Sequence, residues 1–279
     1  MARHRAVARS EGRWRGVSRL PAAQAAIESG SWDAVLEHGD VALIAHFSRS
    51  AQASRSLEAL LAALHDVGFG TAVISTSEVS EPLQFSGDVQ PGLVVRRPNV
   101  GYDFGSWSWA ITSQPEVCRR RTLLMNDSLA GPFAPTDVFQ KFLWSTTDVW
   151  GLVGSGQYEW HLQSYCVGYA PGVLADGAVQ QFWRSVAPQP TKTDVILAYE
   201  LGQTRTVLRE GFTIDVVVPP GLLIDRELNP AILAWRQLLD TGIPMVKKEL
   251  IRDPSVAPDA AEIPAELRDR YGVEVEEWL

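Results

Sequence analysis

"RTLLMNDSLAGPF", residues Arg121–Phe133, decides how this 279-residue chain is read. Leu123, Leu124 and Met125 read as the end of a buried strand. Asn126, Asp127 and Ser128 then arrive together, and Gly131 and Pro132 stop any regular element. A carboxylate flanked by an amide and a hydroxyl at the end of a strand fits two purposes. One is a turn held by local hydrogen bonds. The other is a site for a phosphate-bound cation.

Outward from this stretch, strands and helices alternate. "DVALIAHFS" (Asp40–Ser48), "TAVIST" (Thr71–Thr76) and "GLVVRR" (Gly92–Arg97) are short apolar runs of the buried-strand kind. Between the first two, Leu57, Leu60, Leu61 and Leu64 share one helical face, and Gly68 sits where a left-handed cap is expected. The stretch after Tyr102 reads as a helix. Downstream, "DVWGLVGSG" (Asp148–Gly156) reads as a strand running into a flexible glycine loop. Its glycines are in the wrong order for a dinucleotide fingerprint. "SYCVGYAP" and "TIDVVVP" read as strands, and "GVLADGAVQQFWRSV" and "KTDVILAYELGQTRTVLREGF" as continuous helices. "NPAILAWRQLLDTG" has an asparagine N-cap and a proline at the first helical position. The pattern implies an α/β fold: a doubly wound, mostly parallel sheet with flanking helices and ligands outside the carboxyl ends of its strands.

Charge divides the chain. Residues 1–20 hold six arginines against Glu11 alone, whereas the whole chain is −8. The reading is therefore a basic arm over 1–38, a sheet domain over 39–253, and an acidic, Pro/Ala-containing, loosely packed tail over 254–279. The arm could be a disordered tail or could rest on an anionic membrane surface. The acidic body argues against a nucleic-acid partner. Cys118 and Cys166 match no metal spacing, and no apolar run is long enough to span a bilayer. A reduced, cytoplasmic protein is the expectation, peripheral at the inner face of the membrane if the arm binds lipid.

Five groups carry candidate chemistry. In "RRPNVGYDFGSWSWA" (Arg96–Ala110) Asp103 reads either as a helix cap or as a site residue, and Gly101 and Gly105 leave room for a ligand beside the backbone. The Asn126–Ser128 group is the second. His161, in "HLQSY", is a structural hydrogen-bonder or a catalyst. Glu200 lies next to an apolar helix face and reads either as an ordinary solvated glutamate or as a partly desolvated one, whose pKa would rise toward that of a general base. Lys247, Lys248 and Arg252, in "PMVKKELIR", would meet a diphosphate or decorate a surface.

Taken in order from about Val41 to Arg252, these segments resemble the rhamnan synthesis protein F family of polysaccharide-assembly proteins. More widely, they resemble the GT-A-type inverting glycosyltransferases. The resemblance implies a GT-A-like fold that moves a sugar, rhamnose by the family's name, from a nucleotide-sugar such as dTDP-rhamnose to a glycan or lipid-linked glycan. It implies that Asn99, Gly101 and Asp103 line the donor pocket and that Asp127 takes the metal–diphosphate role. Asn126 and Ser128 then flank the metal, a divalent cation such as Mg²⁺ or Mn²⁺, and Glu200 is the base. "MNDS" departs from a two-carboxylate D-x-D motif by offering Asp127 alone, which a dication tolerates when phosphates and waters complete its shell. In "ISTSE", Ser77 and Glu78 are the candidates for a residue touching the base. Two other classes stay open: a catalytically degenerate nucleotide- or glycan-binding module, and a metal-assisted phosphohydrolase using Asp127 with His46 or His161.

Overall fold

The computed structural model describes residues 25–279. The arginine-rich stretch 1–20, the part of the arm expected to be a disordered tail or to rest on a membrane, therefore lies outside the described residues.

The central sheet is built from β1 (Ala26–Gly30), β2 (Asp40–His46), β3 (Phe69–Ser75), β4 (Leu93–Arg96), β5 (Arg121–Asn126), β7 (Val149–Ser155), β9 (Cys166–Tyr169) and β10 (Ile214–Val218). A two-residue β8 (His161–Leu162) adds to β7. A separate ribbon pairs β6 (Leu129–Ala130) with β11 (Val246–Lys247). The strand order is β1-β4-β3-β2-β5-β9-β7-β10. β4, β3, β2 and β5 run parallel, as do β7 and β10, while β1 and β9 are antiparallel to their neighbours. This is the expected mostly parallel, GT-A-like sheet. The chain leaves β2 toward β3 on one side and returns to β5 on the other, so a switch point opens between the carboxyl ends of β2 and β5.

Strand alternation explains the layers. Val41, Leu43 and Ala45 of β2 face one core, while Ala42 and Ile44 face the other. On the first side α3 (Tyr102–Ser113) buries Phe104, Trp107, Ala110 and Ile111. On the second, α2 (Arg55–Asp66) buries the four leucines of its sequence face. Gly68 follows α2 with φ +89, as its position requires. The remaining helices are α1 (Trp32–Leu36), α4 (Val138–Trp144), α5 (Gly177–Arg184), α6 (Lys192–Val195), α7 (Leu201–Arg209), α8 (Pro230–Leu233), α9 (Trp235–Asp240), α10 (Lys248–Arg252) and α11 (Ile263–Tyr271).

Four expectations are corrected. β1 and α1 belong to the sheet domain although they fall within the 1–38 arm; Glu28 on β1 pairs with Arg96 on β4. The residues from Pro254 onward are packed. Ala257, Ala260, Ile263, Leu267, Val275 and Trp278 join Phe133, Trp235 and Leu250 in a third core, and Ser56 donates a hydrogen bond to the Trp278 carbonyl. Their apolar positions are spread through charged sequence, which hid the pattern. "GLVGS" is buried strand, because Gly151 and Gly154 make way for Leu162 and Pro220: an added Cβ would lie 2.5 Å and 2.7 Å from them. The helix expected from Lys192 is interrupted by a π turn over Ile196–Glu200, and the other two expected helices are each broken into shorter pieces. Cys118 and Cys166 are both free and buried. No helix among the described residues is long and apolar enough to cross a membrane.

Candidate active site

The site stands where the sheet topology places it. Ala45 of β2 is in register with Asn126 of β5, and the Asp127 N–H continues that ladder to the Ala45 carbonyl at 3.1 Å. His46 and Asp127 therefore meet, Nε2 to Oδ2 at 3.7 Å, while the other ring nitrogen lies 3.1 Å from Ser75 Oγ. Burial pulls the His46 pKa below its usual value, against the opposing pull of Asp127, so the ring is neutral at neutral pH.

Both polar atoms of the Asn126 amide are engaged. Its Nδ2 donates to Asp103 Oδ2 at 2.7 Å, and its Oδ1 accepts from the Ser128 amide at 3.2 Å and hydroxyl at 2.6 Å. The local-turn reading of this stretch is seen directly: Ser128 closes the turn, and Asn126 reaches on to Asp103. After it, Gly131 takes φ +111, and a Cβ there would lie 2.5 Å from the Pro244 carbonyl. The close approach lets β6 pair with β11, and the Lys248 amide donates to the Ser128 carbonyl at 2.9 Å. Two motifs about 120 residues apart in sequence are stapled together by this ribbon.

Asp103 caps nothing: the N-cap of α3 is Gly101, at φ +83. Asp103 is pushed up to about 7, chiefly by desolvation and next by the charge of Asp127, with the Asn126 hydrogen bond opposing. Its folded pKa exceeds the ordinary 3.8, so the folded chain holds a proton the unfolded chain has released, and stability falls as pH rises from about 4 to about 7. Asp103→Asn is accordingly expected to be the more stable protein at pH 8, by up to about 4 kcal/mol at 1.4 kcal/mol per unit, with the gap closing toward pH 4. Urea melts across that range read it, and equal stability at pH 8 would refute a strained carboxylate.

The room expected at Gly105 is taken by protein. An added Cβ would lie 2.3 Å from the Val100 carbonyl and 3.1 Å from the Arg97 guanidinium. Arg97 is buried and clamps this loop through Val100 O at 2.8 Å and Ser106 Oγ at 3.2 Å, while Arg96 binds Glu28 and backbone carbonyls. Tyr102 is the outlier of the motif's aromatics. It is 47% exposed, at φ +54, on the rim of the cleft. Asn99 is exposed on the preceding turn and Gly101 buried, and neither lines that cleft.

The cleft measures about 890 Å³, and Asp103, Asn126 and Ser128 are among the residues that line it. Glu200, at the end of the π turn, lines the same cleft with His161 and Ser164. Ser164 Oγ donates to Glu200 Oε1 at 2.5 Å, and His161 Nε2 lies 3.5 Å from Oε2. The other His161 nitrogen is 2.8 Å from the Glu159 carbonyl, which fixes the ring's orientation toward Glu200. The sequence-based expectation for Glu200 is corrected here. Burial does push its pKa up, but the His161 and Ser164 hydrogen bonds outweigh that and hold it below the ordinary 4.5. Glu200 is an ionised carboxylate at neutral pH. Sequence reasoning missed Ser164 and Lys192; only their positions in "HLQSY" and at the head of the Glu200 helix hinted at them. Glu78 pairs with Arg49 on the exposed surface and does not reach this cleft.

A dication would have to be held by Asp127, and the donor set does not fit one. Asn126 Oδ1 is already occupied, Asp127 faces His46 and the charge of Lys248, and no group of three or more His, Cys, Asp or Glu among the described residues could hold a metal.

Comparison with known proteins bears on the family. The chain is 28% identical over 192 residues to virulence protein VirA of Vibrio anguillarum, covering 57% of this chain and 62% of that protein. It is 25% identical over 180 residues to the uncharacterized protein y4gN of Sinorhizobium fredii, covering 62% and 47%. The match thus spans less than two thirds of either relative. The family model for rhamnan synthesis protein F matches residues 72–274, from β3 through the packed C-terminal segment, and by that extent the chain belongs to the rhamnan synthesis protein F family.

Proposed function

We propose that the protein is an inverting glycosyltransferase of polysaccharide synthesis that takes a nucleotide-sugar donor. The observation that carries this reading is one arrangement. An ionised glutamate, held by a serine and a histidine, lines one large cleft together with a polar strand-end group and several lysines. Inversion asks for that much: a base for the acceptor hydroxyl and cationic groups for the leaving diphosphate. Glu200 takes the proton of an acceptor sugar hydroxyl as its oxygen attacks the anomeric carbon. The bond to the diphosphate breaks from the opposite face, and no covalent intermediate forms. The Glu200 carboxylate alone takes that proton, and its contacts with Ser164 and His161 orient it.

Family membership supports rhamnose as the sugar, dTDP as the nucleotide and a glycan or lipid-linked glycan as acceptor. The test is release of nucleoside diphosphate from a panel of nucleotide-sugars with candidate glycan acceptors. Turnover of dTDP-rhamnose is expected, and product formed only with acceptor would identify that acceptor. Tight nucleotide binding without turnover on any acceptor would instead favour a binding module. The neutral His46 beside Asp127 is the specific feature favouring a phosphohydrolase, and hydrolysis of simple phosphomonoesters would support it.

A further inference from the structure

As a glycosidic bond to a diphosphate breaks, its electron pair goes to the leaving oxygen, and that growing charge must be neutralised. The strand-end group offers little for this. Asp127 is the one carboxylate of that group, and Lys248 already supplies it with a positive neighbour. The Lys248 ammonium is buried, lies 3.3 Å from Ser54 Oγ and feels the charge of Asp127. A lysine stands where a metal was expected to help.

The same wall of the cleft presents Lys192, Lys247 and Arg252. Lys247 is partly buried, and its ammonium makes no hydrogen bond or ion pair among the described residues. Burial pulls its pKa down, and Lys192 adds to that, while Glu200, Glu249 and Asp103 oppose it. An ammonium drawn partly out of water without a partner carries a cost that an incoming anion relieves. Lys192 is exposed, with Glu249 as its partner at 3.2 Å, so its long side chain is free to exchange a carboxylate for a phosphate. Lys247 is anchored beside the Asn126–Ser128 group by the β6–β11 ribbon, which fixes where such a phosphate would lie.

We propose that Lys247 and Lys192 seat the diphosphate of the nucleotide donor and neutralise it as it leaves, with no dication required, while Lys248 holds the charge of Asp127. The inference rests on the donor-site reading above. The bond formed is acceptor oxygen to anomeric carbon. The bond broken is anomeric carbon to phosphate oxygen, whose electron pair stays on the lysine-bound diphosphate, and the acceptor proton goes to Glu200.

Calorimetric titration of the full chain with dTDP and with UDP, in EDTA and in Mn²⁺, tests it. Binding is expected to be the same in both buffers. Lys247→Ala should weaken it about tenfold or more, the loss of a charge-assisted hydrogen bond, with thymidine binding unchanged. Lys247→Arg should restore most of it. Lys192→Ala, which alters an exposed side chain and leaves the fold alone, should weaken diphosphate binding about threefold, the scale of a solvent-exposed ion pair. Binding that disappears in EDTA, returns with Mn²⁺ and ignores both lysine variants would overturn this inference and leave the donor site standing with a metal at Asp127. Absence of diphosphate binding in both buffers would overturn the donor-site reading together with it.

Discussion

Glu200→Gln is expected to lower transfer by about 10²- to 10⁴-fold, the contribution of a positioned general base. Nucleoside diphosphate affinity should stay level or tighten slightly. Glutamine has the same shape, so Ser164 keeps an oxygen to donate to, and the variant removes charge and basicity alone. A fall in kcat with unchanged binding places the residue in the chemical step, and ordinary turnover in the variant would remove Glu200 from that role. The pH profile adds an independent reading. The folded-state pKa of Glu200 lies below 4.5 because His161 and Ser164 outweigh burial. A group depressed in this way keeps its charge until pH falls through that lowered value, so transfer should hold on the acid side to below the usual carboxylate range. Ser164→Ala deletes one of the two bonds and leaves the carboxylate in place. Its acid limb should therefore move to higher pH, and a limb that stays where it was would mean that Ser164 does not set the charge of Glu200.

The parts of this site that were legible in sequence are those written in consecutive residues. β2, β3 and β5 are covered on both faces, so they read as unbroken apolar runs, and "NDS" marks where one of them ends. Glu200, His161 and Lys247 were found by residue type and by family resemblance, and the cleft does bring them together. What sequence could not give is pairing through space. The Asn126–Asp103 bond crosses 23 residues, and Ser164–Glu200 crosses 36. Without them Asp103 looks like a helix cap and Glu200 like a carboxylate raised by burial. The π turn is invisible for a related reason: its side chains follow the apolar pattern of an ordinary helix, and only the Leu201 amide reaching back to the Ile196 carbonyl reveals it. The glycines of β7 misled in the other direction. A small residue in a strand can mean a flexible loop or a neighbour pressed close, and Leu162 against Gly151 decides for the second.

Trp107→Ala should be the most destabilising single change near the site, costing about 3–5 kcal/mol, as large-to-small replacements of buried aromatics do. The indole is completely buried, and its Nε1 donates to the Leu43 carbonyl at 3.2 Å and the Met125 carbonyl at 3.0 Å. Those carbonyls belong to β2 and β5, the two strands whose carboxyl ends frame the switch point. Trp107 also lies four residues after Asp103 in α3, about one helical turn, and meets the Phe104 ring edge-on at 5.2 Å. One side chain therefore fastens the helix that carries Asp103 to the strands that carry His46 and Asn126. Phe104 in turn touches Trp183 and Tyr199, so the cavity left by alanine has rigid aromatic neighbours that cannot collapse into it. Trp107→Phe separates packing from the hydrogen bond: it retains most of the buried ring and loses the N–H, at a cost of about 1–2 kcal/mol. Urea denaturation measures both. A loss under about 1 kcal/mol in the alanine variant would mean the core closes around the gap, in which case α3 is held by something other than its tryptophan. With the phenylalanine variant still fully folded, weaker nucleoside diphosphate binding would show that the indole N–H sets the spacing between Asp103 and the strand ends. Unchanged binding would assign Trp107 to the core alone.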